Sequence, residues 1–259
     1  MATAAFGMRL AELSSAFARL TNRAGLEVSL RRVLRSTSRR RVVYFLHIGK
    51  AAGSQVKQMM AQVNREADGV LMKGLSHDVT LADLPEPADY FFSIRDPISR
   101  FRSGFYSRKR RGRPLNDIAW TPHEETAFAN FEHAADLAEA LFAPGEEGMR
   151  AAAAMKSIRH TAQDQIDWFA LAGDIFTVRP PVWVLRQEHL EADMKVLLDR
   201  LGVDFTPEAR RDAKGAHAND YAGIPDLTET GIANLKRWYA QDVAFYEAVE
   251  TWMSSQRSE

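Results

Sequence analysis

The sequence predicts an α/β protein, built as three layers, α/β/α, around a central parallel sheet. Three observations carry that expectation. Short runs rich in β-branched and aromatic residues, RVVYFL at 41–46, GVLM at 69–72, YFFSI at 90–94 and PVWVL at 181–185, have the length and composition of buried strands. Segments with helical apolar spacing lie between them, and strand–helix alternation favours a parallel sheet covered on both faces. The chain of 259 residues, 46% of them hydrophobic, has ample material for a core.

Taken in order, Met8, Leu10, Leu13, Phe17, Leu20, Leu26, Leu30, Val33 and Leu34 give residues 8–35 a weak helical period with arginines between. Three readings of this segment stand: an amphipathic helix on an anionic membrane, a transit-like peptide, and a helix packed on the body. STSRRR at 36–41 reads as a linker. This separates an Arg-rich segment, 1–40, from a domain over 41–259. After the first strand, Val56, Met59, Met60 and Val63 put one apolar face on a helix over 54–67. Asp96-Pro97 opens the next helix, with Asp as N-cap and Pro at the first helical position. FEHAADLAEALF and QDQIDWFALAG read as helical, HLEADMKVLLDRLG as a helix closed by Gly202, and LTETGIANLKRWYAQDVAFYEAVETW as one final helix.

The absence of cysteine excludes disulfides, thiolate metal sites and a cysteine nucleophile. No apolar run approaches the roughly 20 residues of a membrane span, and the N-terminus lacks a compact apolar signal core. The expectation is a cytoplasmic protein, with peripheral membrane contact through 1–40 as the added possibility raised by its arginines. The net charge of zero hides segregation. Residues 1–41 carry nine arginines and two glutamates, leaving the rest of the chain at −7. Within that acidic body, RDPISRFRSGFYSRKRRGR at 95–113 holds eight Arg or Lys and one acid. Such a segment is either an anion site or a solvated basic helix face.

The loop HIGKAAGSQ, 47–55, joins the first strand to its helix. Unpaired N–H groups at the helix start, Lys50, the conformational freedom of Gly49 and Gly53, and the Ser54 hydroxyl suit it to a phosphate-like group. A plain glycine-containing turn with an exposed lysine is the alternative. The second loop has Arg95 after a strand. Ser99, Arg102, Ser103, Tyr106 and Arg110 share one helical face, and Ile98, Phe101 and Phe105 the opposite one. Arg95, the helix N-terminus and Ser103 can converge on a second anion, so the pair suits a ligand with two separated phosphates.

LHIGKAAGS followed by IRDPISRFRSGFYSRKR resembles the two cofactor motifs of the sulfotransferase family 2 group, the carbohydrate O-sulfotransferases and their bacterial relatives. The family motifs read like HIPKTGGTS and RDPxxRxxSxY. VWVLRQEHLEADMKVLLDRLGV and HAND…LTETGIANLKRWYAQDVAFYE extend the resemblance over most of 42–247. It implies a P-loop NTPase-like fold and the co-substrate PAPS (3′-phosphoadenosine 5′-phosphosulfate). It also implies a carbohydrate or similar hydroxyl acceptor, no metal and no nucleic-acid partner. By residue it assigns the 5′-phosphosulfate to the loop Gly49, Lys50, Ala51, Ala52, Gly53, Ser54 and Gln55, with Lys50 on the bridging oxygen and sulfuryl group. The 3′-phosphate falls to Arg95 and Ser103. Two departures stand out. Gly49 replaces the usual Pro, and Ala51-Ala52 replace Thr-Gly, which removes a hydroxyl and puts a β-carbon where positive φ is wanted.

Sulfuryl transfer to a hydroxyl needs a general base. His77, in KGLSHD after the second strand, is the candidate, with His47 as its rival. Arg159, His160, Gln163, Gln165, Trp168, His217 and Asn219 are candidates to line the acceptor site. Two other readings stay open. One is a P-loop kinase, which the missing Gly-Lys-Ser/Thr order disfavours. The other is a nucleotide-binding or scaffold protein that lost turnover.

Overall fold

The structure is a computed structural model that describes residues 40–114, 116–169, 174–209 and 221–257. The Arg-rich segment up to residue 39, and His217 and Asn219 with it, lie outside the described residues. Four parallel strands form the central sheet: β1 (Arg41–Leu46), β2 (Val70–Gly74), β3 (Asp89–Ile94) and β4 (Val184–Arg186), in the order β2-β1-β3-β4. The chain steps from β1 to β2 on one side and then returns to place β3 on the other. The strand order therefore reverses between β1 and β3. Open α/β sheets carry their crevice at the carboxyl ends of the strands flanking such a reversal. Register pairs Leu46 with Phe92, so the loops leaving β1 and β3 start side by side.

Helices α1 (Gly53–Glu66) and α2 (Pro97–Lys109) follow those two strands. Then come α3 (Pro122–Asn130), α4 (Ala134–Ala140), α5 (Glu146–Ser157) and a single turn, α6 (Ile175–Val178). Helix α7 (Leu190–Arg200) follows β4, and α8 (Glu229–Trp238) and α9 (Ala240–Ser255) close the described chain. One apolar core covers the sheet, with Phe45, Phe91, Phe92 and Trp183 fully buried. A second core joins α2 to the helical region, with Phe101, Phe105, Met155, Leu235 and Tyr239 at its centre. Among the described residues no helix is long and apolar enough to cross a membrane.

Four elements depart from expectation. The final helix is two helices, broken at Tyr239, which is buried and donates its hydroxyl to the Thr161 carbonyl at 2.8 Å. QDQIDWF forms a 3-10 turn over Gln165–Phe169. Its leading amides, Gln165 N and Ile166 N, donate to the Asp242 carboxylate. The expected second and fourth strands shift to 70–74 and 184–186, where the ladder to their neighbours runs.

Candidate functional site

The first loop spans 47–52 between β1 and α1. Its positive backbone angles fall at Lys50 (φ 65°) and Ala52 (φ 61°), not at Gly49 or Gly53 as the glycines suggested. Gly53 is needed for a different reason: a β-carbon there would lie 1.8 Å from His47 Nε2, because the His47 ring rests on the start of α1. Gly49 serves through its carbonyl, which accepts from Arg100 Nε at 3.0 Å. Ala51 points its methyl into the core, fully buried, and its carbonyl accepts from the Ser93 hydroxyl. A hydroxyl at 51 would therefore enter the core, not the cavity. Ala52 is the N-cap of α1 and has no side-chain hydrogen bond to give. Ser54 sits inside the first turn and does not cap it. The start of α1 is left open as an anion-binding end.

The second loop is built differently. Asp96 caps α2, its carboxylate accepting from Ser99 N at 2.8 Å, with Pro97 in the first turn. This corrects the expectation that the helix N-terminus joins Arg95 and Ser103 on an anion. That end already holds a carboxylate, so side chains must do the work. Arg95 Nε donates to Ser99 Oγ at 2.8 Å. The Arg95 peptide is bracketed by the Gln165 amide: Arg95 N donates to Oε1 at 3.0 Å, and Nε2 donates to Arg95 O at 2.8 Å. The two-faced division of α2 also fails. Arg100, Ser103, Tyr106 and Arg108 are buried along with Phe101 and Phe105. Tyr106 faces the second core and its hydroxyl accepts from Ala134 N, and Arg108 makes a two-bond pair with Glu124 at 2.7 Å each.

Both loops open into one cavity of about 470 Å³. Lys50, Ala52, Gly53, Ser54, Gln55, His77, Arg95 and Ser103 line it, together with His47, Arg159, His160 and Tyr221. Gly49 and Ala51 do not. Among the described residues the lining includes Lys50, Arg95, Arg108 and Arg159 and no carboxylate. Burial first, then the neighbouring Arg95, Arg110 and Arg100, push the Lys50 ammonium down to about 8. A positively charged group held at that cost gains from an anion beside it.

His77 lines the same cavity. Its Nδ1 lies 3.0 Å from the His47 carbonyl, an acceptor only, so Nδ1 carries the proton and the neutral ring keeps its lone pair on Nε2. Desolvation, Lys57 and Arg159 hold its pKa below the ordinary imidazole value, against the upward pull of that hydrogen bond and of Asp78. His47 is buried between Phe45 and His77, at centroid distances of 5.3 and 3.8 Å. Burial, then His77 and Lys57, push its pKa to about 3, which makes it a neutral packing residue. His160 is pushed to about 3 by burial and then by Lys50. Gly104 leaves room for it: a β-carbon there would lie 3.0 Å from His160 Cβ.

Three expected acceptor residues do other work. Trp168 is buried and donates Nε1 to the His77 carbonyl at 3.0 Å, and Gln165 is fully buried behind Arg95. Gln163 contributes its carbonyl to Arg100. Arg159 and His160 remain in the lining. Arg100 and Asp242 were missed, because an arginine among arginines and an aspartate 142 positions later carry no local signal of pairing. Among the described residues no group of three His, Asp or Glu is arranged to hold a metal. No family model, curated protein or solved structure matches the chain.

Proposed function

We propose that the protein is a PAPS-dependent sulfotransferase that moves a sulfuryl group to a hydroxyl of a carbohydrate or glycan-like acceptor. The observation that carries this reading is the pair of cationic loops, at the ends of adjacent parallel strands, opening into one cavity with no carboxylate among its described lining residues. The open α1 terminus and Lys50 suit a 5′-phosphosulfate and the charge that builds on its leaving phosphate. Arg95 and Ser103 suit a 3′-phosphate. His77 Nε2, unprotonated at neutral pH, suits removal of the acceptor proton, with Arg159 and His160 beside it. The reading takes the fold as the three-layer, P-loop NTPase-like type, and the location as cytoplasmic with peripheral membrane contact through 1–40. The parallel sheet with its loops at the strand ends supports the first, and the basic N-terminal composition supports the second.

Calorimetry with 3′,5′-ADP against 5′-ADP tests this reading. Tighter binding of the 3′-phosphorylated ligand is expected; equal binding would sink it. A second reading, nucleotide binding without turnover, rests on the left-handed Ala52, whose β-carbon strains the loop that would hold the phosphosulfate. Transfer of sulfur-35 label from PAPS to a pool of cell-envelope glycans separates the two. Transfer that His77→Ala abolishes supports the enzyme, and absence of transfer with retained 3′,5′-ADP binding supports the binder.

A further inference from the structure

We infer that Gln165 and Asp242 are positioning residues that tie the two anion loops into one unit. The inference rests on the nucleotide reading above and adds a device to it. Asp242 stands in the first turn of α9, fully buried. Its Oδ1 accepts from Gln165 N at 2.6 Å and Ile166 N at 3.1 Å. Its Oδ2 faces Arg100 Nη1 at 3.8 Å, an ion pair between two buried side chains.

From this carboxylate two arms run to the two loops. One passes through Arg100, whose Nη1 holds the Gln163 carbonyl at 2.8 Å and whose Nε holds the Gly49 carbonyl at 3.0 Å, next to Lys50. The other passes through Gln165, whose side chain closes on both polar groups of the Arg95 peptide. Each arm is a side chain that fixes backbone, so it sets where the next cation points without touching a ligand. The links of a buried polar chain support one another, so loss of one loosens the rest; at the Asp242 end Oδ1 carries the hydrogen bonds and Oδ2 has the Arg100 ion pair alone.

The two arms are separable. Gln165→Met keeps the length of the side chain and removes both bonds to the Arg95 peptide. Arg100→Lys keeps the charge opposite Asp242 and removes the Nε–H that reaches Gly49. Titration calorimetry with AMP reads the 5′-phosphate site alone, and the ratio of 3′,5′-ADP to AMP affinity reads the 3′-phosphate site. Gln165→Met is expected to cut that ratio about tenfold, since the two lost bonds act on the 3′-phosphate only through the placement of Arg95, with AMP affinity held within about twofold. Arg100→Lys is expected to do the reverse: weaker AMP, ratio kept. A merely structural role for Gln165 would lower both ligands together in Gln165→Met, and that result overturns the proposal, as does an unchanged ratio in that variant; an unchanged AMP affinity in Arg100→Lys overturns the first arm. Should Gln165→Met fail to fold, Gln165→Asn, whose amide is one methylene too short to reach the Arg95 peptide, carries the same test with the same two outcomes. If the wild-type protein binds 3′,5′-ADP no better than AMP, the nucleotide reading itself has failed and the proposal falls with it.

Discussion

The loops after β1 and β3 look like two copies of one device, yet they solve the same electrostatic problem in opposite ways. The first leaves its helix uncapped, carries two non-glycine residues in the left-handed region and desolvates its lysine. The second caps its helix with a carboxylate, starts with proline and ties its arginine backbone to a buried amide. Backbone N–H groups are thus offered to a ligand only in the first loop. In the second loop an anion, on the proposed reading, is held by side chains on a satisfied frame. The first loop is therefore where binding energy and strain concentrate, as suits the reacting end of a nucleotide. On the proposed reading the second is the anchor.

The contrast is broken most directly by removing each cation. Lys50→Ala should lower label transfer by about 10²–10³, the size expected for one preorganised group at the developing charge. Arg95→Ala should weaken 3′,5′-ADP by roughly 10- to 100-fold, the loss of a charge-assisted bond, and leave AMP affinity unchanged. Should Arg95→Ala weaken AMP as strongly as 3′,5′-ADP, the division into reacting end and anchor is wrong.

A smaller effect comes from pH. Lys50 has its pKa lowered to about 8 in the ligand-free protein, and an anion beside it raises that value. Affinity is therefore complete below about 8 and falls as pH rises through it, because the free protein must first regain a proton to bind. Between pH 7 and pH 9 the 3′,5′-ADP affinity should drop about tenfold by that linkage, and Lys50→Arg should flatten the profile, since a guanidinium does not titrate there. A flat wild-type profile would mean that Lys50 stands away from the ligand.

Much of this architecture is legible in the sequence, and the parts that are not share a cause. The strands at 41–46 and 90–94 are readable because β-branched and aromatic runs announce buried strands, and Asp96-Pro97 is a cap written in adjacent residues. The residues of both loops that line the cavity are readable for the same reason: their signals are local. Gly53 is different. Its small size answers to the His47 ring, six positions earlier, and not to its own backbone angle. Arg100 falls in neither face that periodicity draws on its helix, whereas the fold buries it against an aspartate on another helix. Gln165 and Trp168 look like ligand-facing polar and aromatic groups until tertiary structure turns them onto the backbone of Arg95 and His77. Pairing across long sequence separations is set by packing, and one sequence does not display it.

The smallest effects sharpen the same comparison at the level of folding stability, and they have opposite signs. Asp96→Ala strips the cap from α2 and should cost about 1 kcal/mol, the usual worth of an N-cap side chain. Ala52→Gly acts at the N-cap of the other helix, where φ is 61°. A β-carbon in that region costs roughly 1–2 kcal/mol, and the added flexibility of glycine in the unfolded chain returns about 0.4–1 of it. The net expectation is a gain of about 0.5 kcal/mol, read as a higher urea midpoint at unchanged slope. If Ala52→Gly instead destabilises the protein, the left-handed conformation at 52 is not the one the chain adopts. The first loop would then lose the strain that distinguishes it from the second.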